Sequence, residues 1–189
     1  MRILIAGLLG GLVLFVWGFL FHAVLPLGNV GMQAPADEDP VLAAMQANFD
    51  RPGLYFLPYL SPEAWGDEAA RSAWEDKTRR APYALVVYHP EGAGQAEMGP
   101  NMAIQWFAMT LAALFMAWLL SLSRWSFGRR VGVATLLGGF AWLNVNVPWW
   151  NWYKFPLDHT LACLAEQTVG WLGAGLVIAW WLGRTEASA

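Results

Sequence analysis

The sequence predicts an all-α membrane protein, with four transmembrane helices and a small α+β extracytoplasmic insert between the first and the second. Four apolar segments of about twenty residues each cover residues 3–25, 102–122, 131–150 and 160–182, and the stretches between them are polar. The composition is 57% hydrophobic and 13% charged, with 13 tryptophans. These proportions are too apolar for an ordinary soluble domain and suit aromatic belts at two membrane interfaces.

The first segment, within residues 1–27, is expected to stay as a transmembrane helix. A helix rises ~1.5 Å per residue and the hydrocarbon core is about 30 Å thick, so each of the four segments is long enough to cross it. Arg2 precedes the first apolar run, as in a secretory signal. That run is too long for a signal and no clear A-x-A-like cleavage site follows it. Pro26 and Gly28 are expected to end the helix.

The positive charges predict the topology. Arg124, Arg129 and Arg130 lie in the connection between the second and third segments. Arg2 precedes the first segment and Arg184 follows the fourth. The connection between the third and fourth segments carries only Lys154. By the positive-inside rule, both termini are cytoplasmic and residues 28–100 lie outside. Residues 101–189 then hold the second to fourth helices and a cytoplasmic C-terminus.

Residues 28–100 are predicted to form a small folded insert. Acidic residues and Pro40 begin a short helix at 41–45, and Ser61 with Pro62 begins a second helix that runs to about Arg80. Residues 54–57 and 84–88 are apolar, β-branched or aromatic, which predicts two strands. Such an insert has a marginal core by itself, so we expect it to rest on the helix ends or on the membrane surface.

Glycine stripes predict how the transmembrane helices pack. Small residues recur on one face of the first, third and fourth helices and let backbones approach closely. The predicted packing positions are Gly7, Gly11, Gly18, Gly139, Gly170 and Gly173.

Polar residues near the outer boundary form the candidate site. His22 and Glu166 share the glycine stripes of the first and fourth helices, and Asn144 and Asn146 lie near the end of the third. Glu166 and Asn144 would lie about 9 Å below the outer boundary, and all four side chains could meet there, with His159 above them. Interhelical hydrogen bonding is the plainest interpretation. Binding of a proton, a quinone head group, a lipid or a pigment is the alternative.

No cofactor, metal or nucleic acid is predicted. His22 and His159 on facing helices are a type of pair that ligates a membrane haem or chlorophyll, but neither lies in a specific spacing motif. The chain has no basic tract and no cluster of Cys and His. Its single cysteine, Cys163, is interpreted as a packing residue.

The loop that follows the third segment is the most unusual local sequence. It contains Trp149, Trp150, Trp152 and Tyr153 within five residues. An interfacial anchor in the bilayer is the default interpretation, because these rings favour the headgroup region. A stacked aromatic pocket or a contact surface for another subunit is the alternative.

Several motifs resemble those of a family of small bacterial four-helix inner-membrane proteins with no established activity. They are Val16-Trp17-Gly18 with His22 and Leu25-Pro26-Leu27-Gly28, Pro52-Gly53-Leu54-Tyr55-Phe56, Val86-Val87-Tyr88-His89-Pro90 and Asn151-Trp152-Tyr153. The resemblance implies a bacterial inner-membrane location and one continuous architecture.

Three functions stay open at this point. The absence of catalytic and nucleotide-binding motifs favours a non-catalytic accessory or structural subunit of an electron-transfer, photosynthetic or transport complex, with other membrane subunits as partners. A binding protein for lipid, quinone, pigment or haem would use the polar cluster. A small transporter or membrane enzyme is the third hypothesis, although the chain has no internal repeat and no nucleophile recognisable beside a base.

Overall fold

The computed structural model describes residues 1–92 and 98–187, with side chains described up to residue 184. The elements are α1 (Arg2–Phe19), α2 (Asp39–Asn48), β1 (Gly53–Leu57), α3 (Glu68–Arg80), β2 (Ala84–Tyr88), α4 (Met98–Ser121), α5 (Phe127–Tyr153) and α6 (Leu157–Ala187). They form two compact units, Met1–Gln33 with Ala96–Ala189, and Ala34–Gln95. The mostly helical fold with a small two-stranded sheet agrees with the predicted class.

Four helices of the first unit are long and apolar enough to cross a membrane. They are Arg2–Val24, Met98–Ser121, Phe127–Tyr153 and Leu157–Arg184. Their directions alternate, so two ends of the unit are distinguished: the aromatic end, with residues 149–156, and the arginine end, with residues 122–130. The first helix does not stay regular at the aromatic end, because residues Leu20–Val24 form a π turn closed by Leu25 N–H donating to Leu20 O at 2.8 Å.

The four long helices pack as an open row. α1 lies between α4 and α6, and α5 packs on the far side of α6. α4 and α6 touch over a short stretch only, and among the described residues α5 has no extensive interface with α1 or α4. The buried core combines five alanines with five larger side chains: Ala6, Ala113, Ala117, Ala134 and Ala174 with Leu14, Met116, Leu120, Ile178 and Leu182. Small side chains allow the helix backbones to approach closely.

Glycines mark the closest helix contacts. A Cβ at Gly7 would collide with Leu114, and one at Gly11 would lie 2.6 Å from the backbone of Thr110. Gly18 also faces α4, at Met109, while Gly170 and Gly173 face Trp17 and Val13 of α1.

On α5 the packing glycine is Gly138 rather than Gly139. A Cβ at Gly139 would meet nothing within 4 Å, whereas one at Gly138 would lie 2.8 Å from Gln167 O of α6. Neighbouring positions differ by about 100° around a helix, so a shift of one residue moves the contact off the interface.

A buried arginine closes the arginine end. Arg130 is 1% exposed, and its Nη2 donates to Ser123 O at 3.4 Å. Its guanidinium also approaches Gly183 near the end of α6. A cation favours the C-terminal end of a helix, and Arg130 lies near the last turns of α4 and α6. Arg130 is therefore a packing residue of α5 as well as one of the positive charges that predict the topology.

The second unit is built on a short antiparallel sheet. β1 pairs with β2 with Gly53 opposite Tyr88 and Leu57 opposite Ala84. Phe49 stacks on Tyr55 with ring centroids 3.9 Å apart, and both rings meet Tyr88 edge-on. This aromatic group supplies a core where few aliphatic side chains are buried.

The helix predicted to run from Ser61 to Arg80 is divided in two. Pro62–Gly66 forms a 3-10 turn, and α3 begins only at Glu68. Asp67 caps α3, because its Oδ1 accepts from Ala69 N at 2.9 Å and Ala70 N at 3.2 Å. An aspartate that satisfies two otherwise free N–H groups starts a new helix more favourably than it continues an old one.

Candidate functional site

The polar residues of α6 near the aromatic end lie on one face. His159, Cys163 and Glu166 follow one another at spacings of four and three residues, which places them one above another along a helix. Glu166 lies deepest, nine residues after the start of α6 at Leu157. This polar stripe faces α1 and the turn that follows it.

Glu166 is held by two side chains of the first helix. His22 Nε2 lies 3.0 Å from Glu166 Oε1, and Trp17 Nε1 donates to the Glu166 backbone oxygen at 3.0 Å. The carboxylate side chain is 21% exposed and the His22 side chain 57%, so the pair lies at the edge of the helix packing and not in its centre. His22 lies in the π turn, where the extra residue in the turn changes the direction in which the side chain points.

The turn after the first helix seats both histidines. A Cβ at Gly28 would collide with the His22 ring, so only glycine leaves room for that ring. On the other side of the turn, His159 Nδ1 lies 3.1 Å from Val30 O. Gly31 has a φ of +80°, and a Cβ there would lie 2.7 Å from His159 Cβ. Residues 27–31 therefore connect the first helix to α6 through backbone positions.

The contact between His159 and Cys163 is a weak one. His159 Nε2 lies 3.7 Å from Cys163 Sγ, one helical turn away. If Nδ1 of a neutral ring donates to the Val30 carbonyl, Nε2 is the acceptor and faces the thiol. From the sequence, Cys163 is interpreted only as a packing residue, although the i, i+4 spacing to His159 places the two residues side by side on a helix.

Asn144 and Asn146 do not join the pair. α5 packs against α6 on the side away from α1, so both asparagines are remote from the interface that holds His22 and Glu166. They are two residues apart, and thus about 200° apart around α5. Among the described residues neither side-chain amide has a hydrogen-bond partner. The predicted four-residue cluster is therefore reduced to His22 and Glu166, with His159 two turns above.

The space beside Glu166 is small. A cavity of about 40 Å³ is lined by residues of α1, α4 and α6 that include Trp17, Glu166 and Gly170. That volume holds a few water molecules, and it is far smaller than a quinone ring or a haem. Ligation of haem iron by His22 Nε2 would have to replace its contact with Glu166. Within the described residues, no group of three or more His, Cys, Asp and Glu side chains is arranged to hold a metal ion.

The aromatic loop presents its rings outward. Trp149, Trp150, Trp152 and Tyr153 are all exposed, and Trp152 is the most exposed at 74%. Lys154 ends α5 in a left-handed conformation and donates from Nζ to Asn151 O at 2.9 Å. Phe155 then turns inward between Trp149 and His159, with ring centroids 5.1 Å and 5.9 Å away. An open depression of about 230 Å³ lies in this loop, lined by Trp150, Asn151, Lys154 and Phe155, and the exposure of the four rings is typical of an interfacial belt.

Trp17, Gly28 and Val30 take part in the site although the sequence did not single them out for it. Trp17 acts through an indole N–H on a backbone oxygen, and Gly28 and Val30 act through their backbones. Such contacts leave no spacing signature, because they depend on where the turn returns against α6. Comparisons with protein-family models, with characterised proteins and with solved structures find no match to this chain.

Proposed function

We propose that this chain is a multi-pass protein of the bacterial inner membrane that serves as a non-catalytic accessory or structural subunit of a larger membrane assembly. Both termini and the arginine end would face the cytoplasm, and the second unit the periplasm. The charge distribution supports this orientation, and the resemblance of its motifs to those of small bacterial membrane proteins supports the compartment.

The proposal rests mainly on the exposure of the first half of α4. Residues 98–108 are all exposed, over three helical turns, and the first buried residue of the helix is Thr110. Lipid exposure of one helix face is ordinary, but here the residues on every side of the helix are exposed. This half-helix lies within a segment long and apolar enough to cross a membrane.

Gln105 makes lipid alone a poor neighbour for this half-helix. Its side chain is exposed, and among the described residues its amide has no hydrogen-bond partner. It lies seven residues after the start of α4, or about 10 Å along the helix. Burial of an amide in hydrocarbon costs several kcal/mol when it has no hydrogen-bond partner, and about 1 kcal/mol when it finds partial partners. A neighbouring protein that supplies a hydrogen bond is therefore favoured over lipid.

Ligand binding at His22 and Glu166 has weaker support. Both groups already contact each other, and the adjoining cavity of about 40 Å³ has room only for water. The pair is adequately explained as a hydrogen bond that fastens the first helix to α6.

The test is site-specific photo-cross-linking in native membranes. A photoreactive phenylalanine at Ile104 or Phe107, both on the free half of α4, should yield adducts to one or two defined proteins. The same residue at Leu12, on an exposed all-aliphatic stripe of α1, serves as the matched control and should yield lipid adducts.

Native gels of gently solubilised membranes supply the second measurement. We expect the chain to migrate within a large defined complex, and Gln105→Leu to weaken that association without lowering expression. Migration of the chain alone, together with lipid-only adducts at residues 104 and 107, would refute the proposal.

A further inference from the structure

The surface of α5 that faces away from α6 is a second unoccupied face. α5 contacts α6 through Arg130, Ala134 and Gly138. On the opposite side lies what we call the α5 outer face, formed by the exposed residues Leu136, Phe140, Leu143 and Asn144. Its three large apolar residues are 74%, 63% and 58% exposed in the order of the chain. Because α5 is the last helix of the row, nothing in the described chain covers this face.

Asn144 places two unsatisfied polar groups on this face. Its exposed side-chain amide has no hydrogen-bond partner among the described residues. Pro148 follows four residues later inside the helix, and proline has no N–H to donate to the Asn144 backbone carbonyl. One residue therefore offers an N–H₂ donor, an amide oxygen and a freed carbonyl oxygen.

The position of Asn144 lies well inside the apolar span. It is six residues before Trp150 of the aromatic belt, or about 9 Å along the helix axis. Lipid chains neither donate nor accept hydrogen bonds, so an occupant of this face has to supply both functions at this depth. A purely aliphatic partner helix would leave the same groups unsatisfied.

A second copy of this chain meets that requirement by symmetry. Two copies inserted with the same orientation are related by a two-fold axis along the membrane normal, which brings like residues to like depth. The Asn144 N–H₂ of each copy then faces the Asn144 amide oxygen and freed carbonyl of the other, so donors and acceptors match. We infer that the α5 outer face is a homodimer interface centred on a reciprocal Asn144 contact. The inference is independent of the assembly proposed above, which uses α4 at the other end of the row.

Disulfide trapping of the full-length chain in lipid nanodiscs tests the geometry. In a Cys163→Ala background, Phe140→Cys should form a disulfide-linked dimer under mild oxidation, because the two residues 140 face each other across the axis. Leu12→Cys on α1 is equally accessible in the bilayer and should not form one. Dimer formation at residue 12 as fast as at residue 140 would indicate random collision and overturn the inference.

The strength of association tests the role of Asn144. Asn144→Leu should weaken dimerisation about 3- to 30-fold, the range that interhelical hydrogen bonds give in membranes. Asn146→Leu makes the same chemical change on the other side of α5 and should leave dimerisation unchanged, and Asn144→Gln should retain most of it. Because removing an exposed amide does not disturb the internal packing, the Asn144→Leu variant is expected to fold.

Three results would overturn the inference. They are a wild-type chain that stays monomeric at every protein-to-lipid ratio, equal loss of dimer in the Asn144→Leu and Asn146→Leu variants, and trapping of residue 140 in native membranes only to a different protein. The last result would assign the same face to another subunit.

Discussion

The side chain and the backbone of Glu166 are each held by one residue of the first helix. His22 contacts the carboxylate and Trp17 the backbone oxygen, both at 3.0 Å. A charged or polar group in a membrane helix is costly, and pairing is how such a cost is offset. The site therefore links two helices through two hydrogen bonds, one between the His22 and Glu166 side chains and one from the Trp17 indole N–H.

Replacement of Glu166 by glutamine should be tolerated. The glutamine oxygen still accepts a hydrogen bond from His22 Nε2–H, so we expect the free energy of unfolding to fall by about 1 kcal/mol or less. Glu166→Leu removes the acceptor and should cost about 1.5–3 kcal/mol. Reversible unfolding in mixed detergent micelles measures both values. Loss of assembly with Glu166→Gln at normal expression would show that the carboxylate itself binds a partner.

Arg130 is expected to be the more sensitive of two neighbouring arginines. It is 1% exposed and donates to Ser123 O, whereas Arg129 is exposed and lies over the Trp125 ring at 5.9 Å. Arg130→Met should lower the free energy of unfolding by about 1.5–3 kcal/mol, the value of a hydrogen bond to a charged group. Arg129→Met removes the same charge from the same turn of α5 and should lower the free energy of unfolding by less than about 1 kcal/mol. Equal losses for the two variants would contradict a packing role for Arg130.

At the scale of the elements, the π turn Leu20–Val24 and the turn 27–31 together set the aromatic end. The π turn redirects His22 toward α6, and the turn brings Gly28 against the His22 ring and Val30 against His159. π turns inside α-helices recur at functional positions. Here the turn serves to aim one polar side chain at its partner on α6.

The contact between α1 and α4 depends on Gly11. A Cβ there would lie 2.6 Å from the Thr110 backbone, so Gly11→Leu should force the two helices apart and cost about 1–3 kcal/mol. Gly139→Leu makes the same change on α5 where nothing lies within 4 Å, and it should be neutral. A Cβ at Gly10 would lie 3.2 Å from the Ala113 Cβ, so the rate of disulfide formation between cysteines at these two positions, in a Cys163→Ala background, reports the helix separation. Unchanged trapping in the Gly11→Leu variant would show that the glycine contact is not required.

At the scale of the whole molecule, the four long helices form an open row, with the exposed first half of α4 at one end and the α5 outer face, which carries Asn144, at the other. A closed four-helix bundle buries one face of every helix, but here, within the described residues, the extensive interface of α5 is with α6. Such a row is better suited to making contacts on both sides than to enclosing a substrate. This arrangement underlies both the subunit proposal and the inferred homodimer.

The proposed orientation makes a labelling prediction. In a Cys163→Ala background, a cysteine at Ser72 on α3 should react with a membrane-impermeant maleimide in spheroplasts. A cysteine at Ser123, at the arginine end, should react only after lysis. Both positions are exposed, so any difference reports the side of the membrane. The reverse pattern would invert the topology.

Sequence alone was sufficient for the mostly helical class, for the four long apolar helices and for both strands. The lengths of the four apolar runs, the prolines and the turn residues depend on local chemistry, and they placed the long helices and both strands within a few residues. The sequence also indicates both members of the polar pair, because His22 and Glu166 are ionisable residues in apolar segments, but it does not show that they contact each other. The start of α3 was misplaced because the Asp67 cap competes locally with the Ser61–Pro62 signal.

Only the tertiary structure decided which faces meet. In the structure α5 packs beyond α6, so Asn144 and Asn146 lie apart from His22. The glycine of α5 that contacts α6 is Gly138, not the predicted Gly139. Helix order in the row and the rotation of each helix depend on contacts between residues far apart in the chain, and periodicity does not encode them. In lipid this ambiguity is greater than in water, since an apolar face packs against a lipid chain or against a helix with little difference in hydrophobic energy.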